Sequence, residues 1–253
     1  MQFTYDSGLA VLSIAIAIFG AFTSLVLTTR LRAVPHYEAG IRIALAGLSL
    51  GAGCWAMHAI AMTAIVAPVM PQHSLALAVM SAIVAALFAS IALAVVGFSL
   101  FGRYSLPSAV LFLGCGFAAT HYLGLVGLLG QGTVALWWPG LAGSIVFALE
   151  AAAIALWLAF RKRGVVDTVL GSLVLGLAAA SMHYLGMAAV TFIPVGAADA
   201  HAGSAAPDGH LALSIAAGIY ALCAISQLVF CIFTFSRPPA GSPAAPMRLQ
   251  FQH

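Results

Sequence analysis

Leu48-Ser-Leu-Gly-Ala-Gly-Cys-Trp-Ala-Met-His-Ala-Ile-Ala-Met62 recurs as Leu111-Phe-Leu-Gly-Cys-Gly-Phe-Ala-Ala-Thr-His-Tyr-Leu-Gly-Leu125 and again as Leu173-Val-Leu-Gly-Leu-Ala-Ala-Ala-Ser-Met-His-Tyr-Leu-Gly-Met187. The copies start 63 and 62 residues apart (48 to 111, 111 to 173), so one element has been reused three times. Each copy sets a histidine, His58, His121 or His183, inside an apolar run of helical character. Burying an imidazole among apolar groups is costly, which marks these three positions as the place to look for function.

The solvent around this element is lipid. The chain is 63% hydrophobic and 6% charged, with 15 charged residues (9 basic plus 6 acidic) on 253 positions. A soluble domain carries about 25% charged residues. Apolar runs near 8–28, 41–64, 75–98, 107–129, 140–160, 168–190 and 211–235 predict seven transmembrane helices in an all-α, polytopic membrane protein. They lack the alternation of polar and apolar residues that barrel strands require. Residues 1–235 read as one seven-helix domain, and 236–253 as a Pro/Ala-rich, disordered cytoplasmic tail. The first run lacks the basic leader of a signal peptide and is read as a true span.

All nine basic residues fall in or beside alternate breaks or in the tail: Arg30, Arg32 and Arg42; Arg103; Arg161, Lys162 and Arg163; Arg237 and Arg248. By the positive-inside rule that side is cytoplasmic, with the N-terminus outside and the C-terminus inside. The reading is of a multi-pass protein of a bacterial inner membrane, with the lipid bilayer as its partner and no nucleic acid. No phosphate loop, HExxH or Ser-His-Asp pattern is present, so no enzyme activity is expected. The four cysteines lie inside predicted spans and form no Cys-x-x-Cys framework.

An offset of about 62 residues equals two spans with their connections, so helices 2, 4 and 6 run parallel and carry their histidines near the outer ends. Equal positions on parallel helices mean equal depth, which sets three imidazoles in one layer. His58 with Met62, and His183 with Met187, are four apart and share a helix face. Met57 and Met182 immediately precede their histidines. Imidazole with thioether suits copper, Cu(I) above all, whereas carboxylates suit harder ions. The predicted metal ligands are His58, His121, His183, Met57, Met62, Met182 and Met187.

Gly51, Gly53, Gly114, Gly116, Gly176 and Ala178 would let these helices approach closely. Cys54 extends the face of His58 and Met62, as a weak ligand or a small buried hydrophobe. Tyr122 and Tyr184 either orient the adjacent imidazole or fill the helix interface. Glu150, midway along the fifth span, is read as a hydrogen-bond acceptor near the site, a proton relay or a bridge between helices. The bland alternative for the whole set is a scaffold held by histidine hydrogen bonds.

The three copies resemble the MHYT domain, through Met57, His58 and Met62, then His121, Tyr122 and Gly124, then Met182, His183, Tyr184, Gly186 and Met187. Ala59 and Ala61, Thr120 and Leu125, and Leu123 and Leu185 depart from the motif. The resemblance spans nearly the whole chain. It implies a bacterial membrane sensor, often joined to cyclic-di-GMP enzymes or histidine kinases. Its motif residues would hold a metal, copper in that family's reading, to sense oxygen, carbon monoxide or nitric oxide and signal to a cytoplasmic protein. Other functions open at this level are a haem-binding or redox protein, with two histidines as axial ligands, and a copper carrier.

Overall fold

The apolar runs fold into long helices because chain in lipid must satisfy its backbone hydrogen bonds within each segment. A computed structural model describes residues 4–29, 31, 34–66, 75–126, 132–160 and 164–194. It contains helices α1 (Ser7–Leu27), α2 (His36–Thr63), α3 (Leu75–Gly97), α4 (Ser105–Val126), α5 (Trp138–Phe160) and α6 (Val165–Ala188). All six are long and apolar enough to cross a membrane, at 21 to 28 residues each. At about 1.5 Å per residue that is roughly 30–40 Å, the thickness of a bilayer. The chain is a multi-pass helical membrane protein. The seventh predicted span, 211–235, and the tail lie outside the described residues, as do His73, His201, His210, His253, Cys223 and Cys231.

Local signals set the helix ends. Asp6 caps α1 by accepting from the Leu9 amide at 2.9 Å. Asp167 accepts from the Gly164 amide at 3.0 Å at the start of α6. Between α3 and α4 the chain reverses through Ser99 and Gly102, both with positive φ (51° and 54°). Arg42, buried near the start of α2, is paired with Glu38 one turn back at 2.7 Å.

Each helix packs on its sequence neighbours, and α6 closes back on α1, so the six form a ring α1–α2–α3–α4–α5–α6. The buried faces are small: Ala46, Ala89, Ala92, Ala148, Ala151 and Ala152 are fully enclosed. The outward faces are bulky and apolar, including Ile83, Leu87, Val146 and Leu177. That inversion suits a lipid solvent, where tight packing of small residues holds helices together. Gly20 and Gly53 meet so closely that a Cβ on either would stand 2.8 Å from the Cα of the other.

Two short antiparallel ribbons close the end of the ring where α2, α4 and α6 finish. Strand β1 (Thr4–Tyr5) pairs with β2 (Ile65–Val66), and β3 (Gly132–Leu136) with β4 (Val190–Pro194). Thr4 faces Val66 in the first, and Gly132 faces Pro194 in the second. This is the motif end of the molecule.

Candidate metal centre

The repeat places its histidines with a common register. His58, His121 and His183 each stand five residues before the last residue of their helix (Thr63, Val126 and Ala188). The structure brings all three together. Their ring centroids are 5.2, 5.0 and 5.1 Å apart, each pair edge to face. His58 Nδ1 lies 3.0 Å from His183 Nδ1, and His121 Nδ1 lies 3.2 Å from the same atom. The rings are 5%, 1% and 0% exposed, in that order. Among the described residues they are the one group of side chains placed to share a metal ion.

Hydrogen bonding alone serves this cluster poorly. A neutral imidazole Nδ1 is either a donor or an acceptor, so His183 Nδ1 cannot make a full, well-directed bond to both neighbours. Three imidazoles with a ligand atom each within 4.8 Å of the others form a donor set that could hold a metal ion. Bonds of about 2.0 Å from one ion to three nitrogens put those nitrogens about 3.3–3.5 Å apart, slightly more than the distances to His183. The donor set fits a single metal ion after a small outward movement.

Apolar layers enclose the triad on both sides. One turn inward, Cys54, Phe117 and Ala179 belong to the main core, which also contains Met57 and Met182. One turn outward, Met62, Leu125 and Met187 form a separate cluster with Ile65 and Val190, and Tyr5 and Tyr122 pack against it. All four predicted methionine ligands are therefore buried, two in the layer beyond the histidines and two in the core. Tyr5, on β1, meets Tyr184 edge to face at 5.4 Å. Burial first, and Tyr184 second, push its phenol up to about 12, so it stays neutral.

The tyrosines brace helices and leave the imidazole nitrogens alone. Tyr122 Oη is 2.6 Å from Ser144 Oγ on α5, and Tyr184 Oη is 3.1 Å from Ser13 Oγ on α1. Each serine gives its own proton to a backbone carbonyl, Leu141 or Ala10, so each phenol is the donor. Trp55 makes the matching bond in the first repeat, through Nε1 to Ser81 Oγ at 3.2 Å and to the Ala78 carbonyl at 3.0 Å. Tyr122 and Tyr184 still touch the site through their rings, 4.8 and 5.0 Å from His121 and His183.

Two expectations are corrected. Glu150 is on the exposed face of α5, turned out of the bundle, so it is no hydrogen-bond acceptor for the buried histidines. Gly51, Gly114 and Gly176 pack against Ala85 of α3, Leu149 of α5 and Ile18 of α1, and not against one another's helices. The glycines that admit the rings are Gly124 and Gly186. A Cβ on Gly186 would stand 2.5 Å from His121 Nε2, and one on Gly124 would come closer still to His58 Nε2. Sequence reading noted both as motif positions and gave them no role. Ser13, Ser81 and Ser144 were missed, although 81 and 144 repeat the 63-residue offset.

Comparison with known proteins recovers two of the three repeats. Residues 51–108 and 114–172 match the family model MHYT, described as a bacterial signalling protein N-terminal repeat. The chain is 32% identical over 233 residues to the bifunctional diguanylate cyclase/cyclic di-GMP phosphodiesterase MucR of Pseudomonas aeruginosa, covering 89% of this chain and 34% of that protein. It is 30% identical over 202 residues to the cyclic di-GMP phosphodiesterase NbdA of the same organism, covering 76% of this chain and 25% of that one. It is 28% identical over 240 residues to the signaling protein YkoW of Bacillus subtilis, covering 91% of this chain and 28% of that one. The chain thus spans about a quarter to a third of the length of these relatives. No solved structure matches it. Residues 51–108 and 114–172 are thus two MHYT repeats carrying His58 and His121, and a third copy of the motif carries His183, the remaining member of the triad.

Proposed function

We propose that this chain is a membrane sensor module in which His58, His121 and His183 hold one copper ion, Met62 and Met187 supply thioether sulfur, and Met57 and Met182 are further candidate ligands. The reading is carried by one observation: three buried imidazoles on three repeats bring the Nδ1 atoms of His58 and His121 to 3.0 and 3.2 Å from that of His183. Nitrogen and thioether donors without a carboxylate favour copper over harder ions. Copper would supply a redox-active centre with affinity for oxygen, carbon monoxide or nitric oxide. The chain's own residues hold the ion, bury it between two apolar layers and tie it to three helices. Sensing requires that the occupied site favour one helix packing over another. A cytoplasmic partner, such as the cyclic-di-GMP enzymes of the relatives' names, would read that packing. The basic breaks in the sequence orient the motif end outward, in a bacterial inner membrane.

The geometry disfavours haem. Two axial ligands about 2.0 Å from an iron stand about 4 Å apart across it. Here the Nδ1 atoms are 3.0 and 3.2 Å apart, closer than that span, which supports copper over haem. The test is metal content of the purified chain, wild type against His58→Ala, His121→Ala and His183→Ala. About one copper per wild-type chain, with strong loss in each variant, is the expected result. Negligible copper in all four would end the reading, and a Soret band would replace it with haem.

A further inference from the structure

We infer, building on the copper site just proposed, that Gly124 and Gly186 are positioning residues that select which imidazole nitrogen binds the metal. They form a relay around the triad. The histidine of α2 rests on Gly124 of α4, and the histidine of α4 rests on Gly186 of α6. Each glycine is three residues beyond its own helix's histidine, so the seat is one motif position used by the neighbouring repeat. The repeat-equivalent position on α2 is Ala61, and the remaining ring, His183, is the one whose Nδ1 both others approach.

The contact is one-sided. In both seats the nearest ring atom to the added Cβ is Nε2, followed by Cδ2 and Cε1. The Nε2 edge is thus pressed against the neighbouring helix, where only a hydrogen on Cα leaves room for it. Nε2 of His121 and of His183 is buried and has no hydrogen-bond partner among the described residues. With Nε2 walled off, Nδ1 is the nitrogen left facing the centre. Coordination through Nδ1 leaves the proton on Nε2, in a dry pocket against the helix. An alanine in either seat would drive its ring toward the centre or turn it over, without removing any ligand atom from the chain.

The experiment uses the full chain in detergent, loaded with Cu(I) under reductant: wild type, Gly124→Ala, Gly186→Ala and a control, Gly116→Ala. Gly116 is also on α4, and a Cβ there meets Phe88 as tightly, two turns from the site's seat. Copper affinity by chelator competition should fall at least about tenfold in both seat variants, the size of effect seen when a ligand's supporting contacts are lost. It should stay within a fewfold of wild type in Gly116→Ala, with all four chains monodisperse. On the wild type alone, the Raman C4=C5 stretch of the imidazoles separates metal on Nδ1 from metal on Nε2, and the Nδ1 position is expected. Wild-type affinity in both seat variants, or an Nε2 signature in the wild type, would overturn the inference while leaving the copper site standing. A wild type that takes no copper would instead remove the reading beneath it.

Discussion

At the residue scale, the cost of three enclosed imidazoles is what makes the site, and His183 is its hub. Its Nδ1 is the atom within hydrogen-bond distance of both partners. His183→Ala should therefore weaken copper binding by at least about 100-fold, since it removes a ligand and not merely a supporting contact, which alone is worth about 10–100-fold. Chelator competition measures this. Met62→Leu and Met187→Leu conserve volume in the outer cluster, so stability should change by less than about 1.5 kcal/mol. If their sulfurs bind the ion, Cu(I) affinity falls about tenfold while affinity for Zn²⁺, which prefers nitrogen, thiolate and oxygen donors, is nearly unchanged. Equal loss for both metals would mean that these methionines only pack.

At the element scale, the repeat made the helix register legible. Three copies at a near-constant offset state that the histidines share a depth, and the common five-residue distance to each helix end is that statement in coordinates. Orientation about each helix axis was less legible, because periodicity in a nearly uniform apolar helix does not tell a lipid face from a core face. That is why Glu150 is open in the sequence to roles as acceptor, relay or helix bridge although it lies on an exposed face, and why Gly51, Gly114 and Gly176 pack on other neighbours than the sequence suggests. The tyrosine braces were illegible for a related reason: their partners are serines on α1 and α5, far away in sequence and unremarkable there. Tyr122→Phe and Tyr184→Phe should each destabilise the bundle by about 0.6–1.7 kcal/mol, the range for buried hydrogen bonds between membrane helices. Unfolding in detergent with graded SDS measures it. Copper content should be unchanged, because the phenol hydroxyls are spent on serines.

At the scale of the whole molecule, the ring of the six described helices is closed by contacts between neighbours, while the triad is where α2, α4 and α6 converge at one end. An ion there would tie three repeats together, so ligand binding should appear as added stability of the whole fold. At a free copper concentration about 100 times Kd the gain is about 2.7 kcal/mol, seen as a rise in the unfolding midpoint that His58→Ala abolishes. The predicted orientation is a separate claim, resting on basic residues that fall largely outside the described segments. Single cysteines in a cysteine-free chain test it: one at Gln72 should react with an impermeant maleimide on intact cells, and one at Arg103 only after permeabilisation. The central claim is that one ion is held by all three repeats. Copper-edge X-ray absorption on the loaded chain tests that most directly. The account predicts three nitrogen scatterers at about 2.0 Å, falling by one in each single histidine variant that retains metal. A copper shell of sulfur or oxygen that none of the three substitutions alters would contradict it.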